Sequence, residues 1–199
     1  MHPTDRALFL SMKPTFADLL LSGGKTVELR RVRPRAPVGT FAIVYASTPV
    51  RAVLGACTVA EIGEEHPDII WDLHGPRTGL RWQEFSEYFR GQNSAVAITV
   101  VRPFRLDTPV PLAVLRGGPQ GFSPPQSFRY ISAAQAEVLV PDAWRRHVVE
   151  NPPSFVARRQ DGFAVVGLGQ MAGRAGQPAC REAAAPVRTD GPKVCPSFA

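Results

Sequence analysis

Apolar and polar residues alternate in blocks over the first 150 residues of the chain. Short, nearly continuous apolar runs bounded by glycine, proline and charged residues are typical of strands that are buried on both faces. We therefore predict strands over residues 7–12, 41–47, 52–63 and 95–104. Gly55, inside the third run, indicates a bulge or a sharp bend. Pro103 marks the predicted end of the fourth strand.

Two other segments have the three-and-four spacing of an amphipathic helix. The first begins at Pro14, which suits a first helical turn, and ends before Gly23 and Gly24. The second covers residues 81–90, and its aromatic residues are Trp82, Phe85, Tyr88 and Phe89. Aromatic residues at this spacing more often form a core stripe than a platform for nucleobases. We predict a core helix here, and shorter helices over residues 133–139 and 143–150.

The pattern changes to period two directly after the first helix. Over residues 26–31, Val27 and Leu29 point to one face of a strand, and Thr26, Glu28 and Arg30 point to the other. Lys25 stands at the start of this strand. A carboxylate between two cations can grip an anion or polarise a carbonyl where that face lines a cleft. The alternative is a solvated strand face with a surface ion pair, which contributes little to stability.

Composition and charge narrow the class of protein only slightly. The chain has 199 residues, 23 basic and 17 acidic side chains, a net charge of +6 and an isoelectric point near 9.8. A modest basic excess favours an anionic partner such as RNA or a nucleotide. Three cysteines without CxxC spacing argue against a disulfide framework and a zinc module. With no apolar run long enough to span a membrane, we expect a cytoplasmic protein with no metal and no cofactor.

The composition changes again after residue 150. The last segment is rich in Ala, Gly, Pro and Arg and poor in large apolar residues, which is typical of a disordered tail. The run at residues 163–168 is the exception and can add a strand. We therefore predict one domain over residues 1–150 and a poorly ordered tail over residues 151–199, which is dispensable after about residue 169.

Four motifs together resemble the ASCH domain, a family of the PUA-like superfamily. They are Ser11-Met12-Lys13-Pro14, Gly24-Lys25-Thr26-Val27-Glu28-Leu29-Arg30, Tyr45-Ala46-Ser47-Thr48-Pro49 and Pro124-Pro125-Gln126-Ser127-Phe128. The resemblance covers about residues 6–131. It implies an α+β fold: a PUA-like β-barrel of five to six strands with short peripheral helices. It also implies a cleft, lined by the signature residues, that takes RNA or a modified nucleobase.

Two functions follow from the resemblance. The first is a binding module for RNA or a nucleotide, which can serve as a coregulator of translation or transcription. The second is a hydrolase, either a ribonuclease or a nucleoside amidohydrolase, in which Glu28 is the general base and Lys25 or Arg30 stabilises developing charge. In the amidohydrolase branch of the family a threonine nucleophile follows the lysine by three residues. Glu28 occupies that position here, so that mechanism is not carried over.

We favour binding, because the sequence shows neither a second catalytic carboxylate nor a histidine partner. The candidate catalytic residues are Lys25 and Glu28. The predicted ligand-binding residues are Lys13, Lys25, Thr26, Glu28, Arg30, Tyr45, Ser47, Gln126 and Phe128. The cations are expected to meet phosphate, and Tyr45 or Phe128 to stack a base. The sequence leaves the ligand, catalysis and the oligomeric state open.

Overall fold

The computed structural model describes residues 4–117 and 121–151 of the chain. The strands are β1 Arg6–Met12, β2 Val27–Arg30, β3 Phe41–Ala46, β4 Ala52–Glu65, β5 Ala95–Pro111 and β6 Phe128–Ser132. The helices are α1 Pro14–Leu21, α2 Pro67–His74, α3 Trp82–Tyr88, α4 Leu112–Arg116, α5 Ala133–Leu139 and α6 Pro141–Glu150. A 3₁₀ turn, Gly75–Arg77, follows α2. The tail predicted from residue 151 onward, with its strand at 163–168, lies almost wholly outside the described residues.

The six strands form one mixed sheet in the order β2-β5-β4-β3-β1-β6. β1 and β3 pair in parallel, and every other neighbouring pair is antiparallel. This confirms the predicted α+β class with six strands and short helices. Across the described residues the two edge strands, β2 and β6, do not pair with each other, so the barrel is left open between them.

The sheet encloses an apolar core on its concave face. Side chains from β1, β3, β4 and β5 meet there, α1 covers one end through Leu20 and Leu21, and Phe128 and Tyr130 of β6 pack against the same cluster. β1 and β3 are buried on both faces, because α4, α5 and α6 cover their outer side. This double burial explains why their sequences read as continuous apolar runs.

A third apolar cluster lies under α2 and α3, on the outer side of β2 and β5. Phe85 and Phe89 belong to this cluster, as predicted for a core helix. Trp82 and Tyr88, from the same aromatic stripe, are 45% and 37% exposed. Two of the four aromatic side chains are therefore buried in the core, and the other two are exposed. None of the described helices is long and apolar enough to cross a membrane.

The prediction that the fourth strand ends at Pro103 is wrong, because β5 continues to Pro111. The register between β4 and β5 shifts between Ala56 and Thr58, which pair with Phe104 and Val101. Arg102, within this irregularity, has a φ of 52°. A bulge of this kind takes a proline out of the regular ladder, so the strand can resume beyond it.

Gly55 lies where β4 passes very close to β5. A Cβ atom at this position would stand 2.2 Å from the carbonyl oxygen of Phe104 and 2.8 Å from Cδ2 of Leu21. At Gly63, on the same strand, an added Cβ would meet nothing within 4 Å. The packing of β4 against β5 therefore requires glycine at Gly55 but not at Gly63.

We expect Gly55→Ala to lower the free energy of unfolding by about 1–3 kcal/mol, because overpacking forces the two strands apart. Urea denaturation followed by circular dichroism measures this change. Gly63→Ala is the matched control and should leave stability unchanged or slightly raised. Equal urea midpoints for Gly55→Ala and Gly63→Ala would contradict the close approach of β4 and β5 at Gly55.

Candidate functional site

The two faces of β2 carry different chemistry. Glu28 and Arg30 lie opposite Ile98 and Val96 of β5, whose side chains belong to the concave core. Directly paired residues of an antiparallel ladder share a face, so these two polar side chains point into the concave side of the sheet. Val27 and Leu29 point outward, to the cluster beneath α2 and α3. The period-two pattern therefore predicts the faces correctly.

Glu28 is shared between two cations. Its Oε2 lies 3.0 Å from Nζ of Lys25, and its Oε1 lies 2.9 Å from Nη2 of Arg30. The three side chains are only 3–7% exposed. This Lys25–Glu28–Arg30 triad is therefore not the solvated ion pair that the alternative interpretation of the sequence allowed.

Both cations of the triad are also held by main-chain carbonyl groups. Lys25 Nζ donates to the carbonyl oxygen of Thr78 at 2.7 Å, and Arg30 Nη2 donates to that of Ser11 at 3.0 Å. Thr78 lies just after the 3₁₀ turn, and Ser11 lies on β1. The triad consequently connects β2 to two other parts of the fold.

The triad carries a net positive charge that is buried. Two cations share one carboxylate, and removing an ion from water costs several kcal/mol even after the protein relaxes. Nε of Arg30 is also buried without a hydrogen-bond partner in the described part of the chain. An excess buried charge with an unused donor is a physical reason to expect an anion nearby.

The triad forms part of the wall of a cleft of about 950 Å³. Other lining residues come from the end of β1, the start of α1, the β3–β4 connection, α3, α4 and the segment before β6. Its cationic side chains are Lys13, Lys25, Arg30, Arg31, Arg51 and Arg116, and its carboxylates are Glu28, Glu84 and Glu87. Six cations against three carboxylates make the cleft electropositive.

Seven of the nine predicted ligand-binding residues line this cleft. They are Lys13, Lys25, Glu28, Arg30, Tyr45, Ser47 and Gln126. Thr26 and Phe128 are not among the lining residues. The Thr26 hydroxyl accepts a hydrogen bond from Nε of Arg77 at 3.1 Å. Phe128 packs on the concave core beside Tyr130.

Several residues of the cleft were missed by sequence reasoning, notably Arg51, Tyr88 and Arg116. Arg51 has a φ of 52°, a left-handed conformation that costs energy in a residue other than glycine. Two main-chain hydrogen bonds hold it, from Arg51 N to Ser47 O at 3.0 Å and from Leu112 N to Arg51 O at 2.8 Å. No sequence motif indicates that an arginine in a turn adopts a strained backbone conformation.

Two further side chains bear on the chemistry of the site. The hydroxyl of Ser11, which lines the cleft, is buried without a hydrogen-bond partner among the described residues. Burial, with a smaller effect from the charge of Glu28, raises the pKa of the Cys57 thiol to about 12. Cys57 is therefore protonated near neutral pH and is a core residue rather than a nucleophile. No group of His, Cys, Asp and Glu suited to a metal ion occurs within residues 4–117 and 121–151.

An open six-stranded barrel with short helices and an electropositive cleft at its unpaired edge defines a PUA-like α+β domain. The family model of the ASCH domain matches residues 10–104. The chain is 30% identical over 138 residues to the ASCH domain-containing ribonuclease of Zymomonas mobilis, an alignment that covers 69% of this chain and 93% of that relative. The protein belongs to the ASCH domain family.

Solved structures agree with this assignment. The crystal structure of ASCH from Zymomonas mobilis superposes with a TM-score of 0.63 at 29% identity, over 67% of this chain and 94% of that chain. A serine-to-alanine variant of the Zymomonas protein also gives 0.63, at 28% identity, over 68% of this chain and 96% of that chain. About two thirds of the chain thus has the fold of known ASCH structures.

We expect Glu28→Gln to lower the free energy of unfolding by about 3–5 kcal/mol, because it leaves two buried cations without a carboxylate. The glutamine amide group would also turn an NH₂ toward one of them. Chemical denaturation measures the change.

Glu87→Gln is the matched control, since Glu87 lines the same cleft but its side chain is 63% exposed in a surface ion pair with Arg90. This control should cost no more than about 1 kcal/mol. If Glu28→Gln were as stable as Glu87→Gln, the triad would not be a structural element.

Proposed function

We propose that the cleft binds single-stranded RNA or a nucleotide. The observation that carries the proposal is the buried, net-positive Lys25–Glu28–Arg30 triad in the wall of an electropositive cleft. Charge-assisted hydrogen bonds to phosphate oxygens suit this arrangement. A cleft of about 950 Å³ lies at the upper end of the size range of small-molecule sites.

Single-stranded nucleic acid is a better match than a duplex for a recess of this shape. Proteins that recognise RNA by sequence or by single nucleotides take unpaired bases into pockets, where edges and faces of the base are accessible. The cations of the triad are buried in the wall of a recess of about 950 Å³, which has the size of a small-molecule site and is too small to admit a duplex. The family membership supports RNA as the ligand class.

The role of Glu28 follows from its partners. With one cation on each carboxylate oxygen, Glu28 fixes the positions of Lys25 and Arg30 and thereby aims their remaining donors. We assign it this positioning role rather than the general-base role of the alternative hydrolase hypothesis, because accepting a proton would weaken both ion pairs.

Ribonuclease activity is the second candidate function, and one specific observation favours it. The Zymomonas relative, matched over 93% of its length, is named a ribonuclease. Tyr45 lies beside Ser11 in the register of β1 and β3 and lines the cleft. Its hydroxyl is a candidate for contacting the reacting phosphate. Binding without cleavage would instead suit a coregulator of translation or transcription.

Replacing Lys13 tests the binding proposal without disturbing the core, because Lys13 is exposed. We expect Lys13→Ala to weaken binding of a labelled single-stranded RNA by about fivefold at low salt. The slope of log K against log salt should fall by about one phosphate contact. Fluorescence polarisation over a salt series measures both quantities.

Arg145→Ala is the control, since it removes one positive charge from an exposed position on α6, outside the cleft. It should change neither the affinity nor the slope. Absence of RNA and nucleotide binding by the unmodified protein at low salt would refute the proposal.

Cleavage is tested with the same RNA on denaturing gels. If the protein is a ribonuclease, Tyr45→Phe should reduce the cleavage rate by about tenfold or more, because it deletes only the hydroxyl. Thermal stability should stay the same, since the ring keeps its contact with Phe9 at a centroid distance of 5.6 Å. Cleavage at the same rate in both proteins would point to a contaminating nuclease, and no cleavage by either would leave binding as the function.

A further inference from the structure

Arg31 and Tyr88 form a structure at the cleft that neither the triad nor the family signature includes. Cζ of Arg31 lies 4.6 Å from the centre of the Tyr88 ring. Nε and Nη2 of Arg31 both donate to the carbonyl oxygen of Tyr88, Nε at 3.0 Å. The guanidinium is thus held by the ring and the main chain of one residue.

The ring beneath the guanidinium is itself supported by the core. Tyr88 packs edge-on against Phe89 with centroids 4.8 Å apart, and Phe89 is only 3% exposed. Tyr88 and Arg31 are both exposed, and both line the cleft. The guanidinium group of Arg31 is therefore held in place at the wall of the cleft.

We propose that this guanidinium is a stacking platform for one nucleobase of the bound RNA, an inference that rests on the proposed function. The guanidinium lies against the Tyr88 ring, and Arg31 is exposed and lines the cleft, where a ligand can reach it. Flat guanidinium groups stack on unpaired bases in the same way as aromatic rings do. A cation already resting on an aromatic ring is held in a fixed plane at little further cost in side-chain entropy.

Two observations favour a base over a phosphate as the group that Arg31 contacts. Two of its three nitrogen atoms already donate to Tyr88, so its capacity as a phosphate fork is reduced. Tyr45 was expected to stack a base. Its ring contacts Phe9 and is buried in the apolar cluster on the outer side of β1 and β3, which also contains Ile43. Tyr88 and Arg31 together offer the exposed flat surface that Tyr45 does not.

The platform and the triad line the same cleft. Arg30 and Arg31 are consecutive in the chain. Arg30 points to the concave side while Arg31 reaches the end of α3. A nucleotide can therefore place its phosphate near the triad and its base on Arg31.

A purely structural role for Arg31 must be separated from this one. Its hydrogen bonds to Tyr88 also cap the last turn of α3, and such a cap stabilises a helix. Arg31→Lys keeps the positive charge and a donor for the Tyr88 carbonyl group, but it removes the flat guanidinium. The substitution thus deletes stacking and preserves most of the cap.

The experiment measures the affinity of the full chain for a short single-stranded RNA. The same measurement is repeated with a set of RNAs of that sequence, each of which lacks the base at one position. We expect the wild-type protein to lose affinity by roughly 5- to 100-fold when the base at one position is missing. Arg31→Lys should bind the intact RNA more weakly and lose that positional preference. Its salt slope and melting temperature should match those of the wild type. Arg90→Lys, at the same end of α3 but outside the cleft, should behave as the wild type does.

Each other outcome overturns the inference. If Arg31→Lys keeps the positional preference, the base stacks elsewhere. If its salt slope falls while the preference stays, Arg31 contacts phosphate. If the wild-type protein binds RNA but ignores every missing base, the cleft has no stacking site, and the proposed function still stands. If the wild-type protein does not bind RNA, the proposed function fails, and the stacking site fails with it.

Discussion

A carboxylate buried between two cations determines how the two edges of this sheet are held. Glu28 binds Lys25 and Arg30, and these in turn bind the carbonyl groups of Thr78 and Ser11. β2 is the edge strand at one end of the sheet, whereas Ser11 belongs to β1, next to the other end. The link across the opening is therefore made by side chains rather than by a backbone ladder. A side-chain link leaves room beside it, and the cleft occupies that room.

The same arrangement contributes little to stability compared with an apolar core. Burying two cations and one carboxylate costs several kcal/mol per ion, and well-packed hydrophobic residues of similar volume are often as stable or more stable. Removing one member is costly, however, since it leaves a buried charge unpaired. A cluster that is costly to build and costly to break is better explained by ligand binding than by folding. Nε of Arg30 and the hydroxyl of Ser11, which have no hydrogen-bond partner among the described residues, support the same explanation.

The sequence predicts the parts of the site that depend on local periodicity. The alternation in β2 assigns Glu28 and Arg30 to one face and Val27 and Leu29 to the other, because side chains in a strand alternate. It does not predict Arg51, whose left-handed backbone is held by bonds to Ser47 and Leu112. The pairing of Arg31 with Tyr88 spans 57 positions of the chain, and no short pattern reports such a contact. The continuation of β5 past Pro103 also escapes prediction, since a bulge is a property of two paired strands.

The opening of the barrel and the location of the cleft have a common cause. An unpaired strand edge exposes main-chain donors and acceptors, and proteins cover such edges with loops or charges. Here the loop after β2 crosses toward β6, where the main-chain N–H of Arg35 donates to the Tyr130 hydroxyl and Arg6 donates to the Arg35 carbonyl group. The loop covers the edge on one side of the opening, and the ion triad lines the other. Charged side chains of β2 thus line the cleft beside the open edge of the sheet.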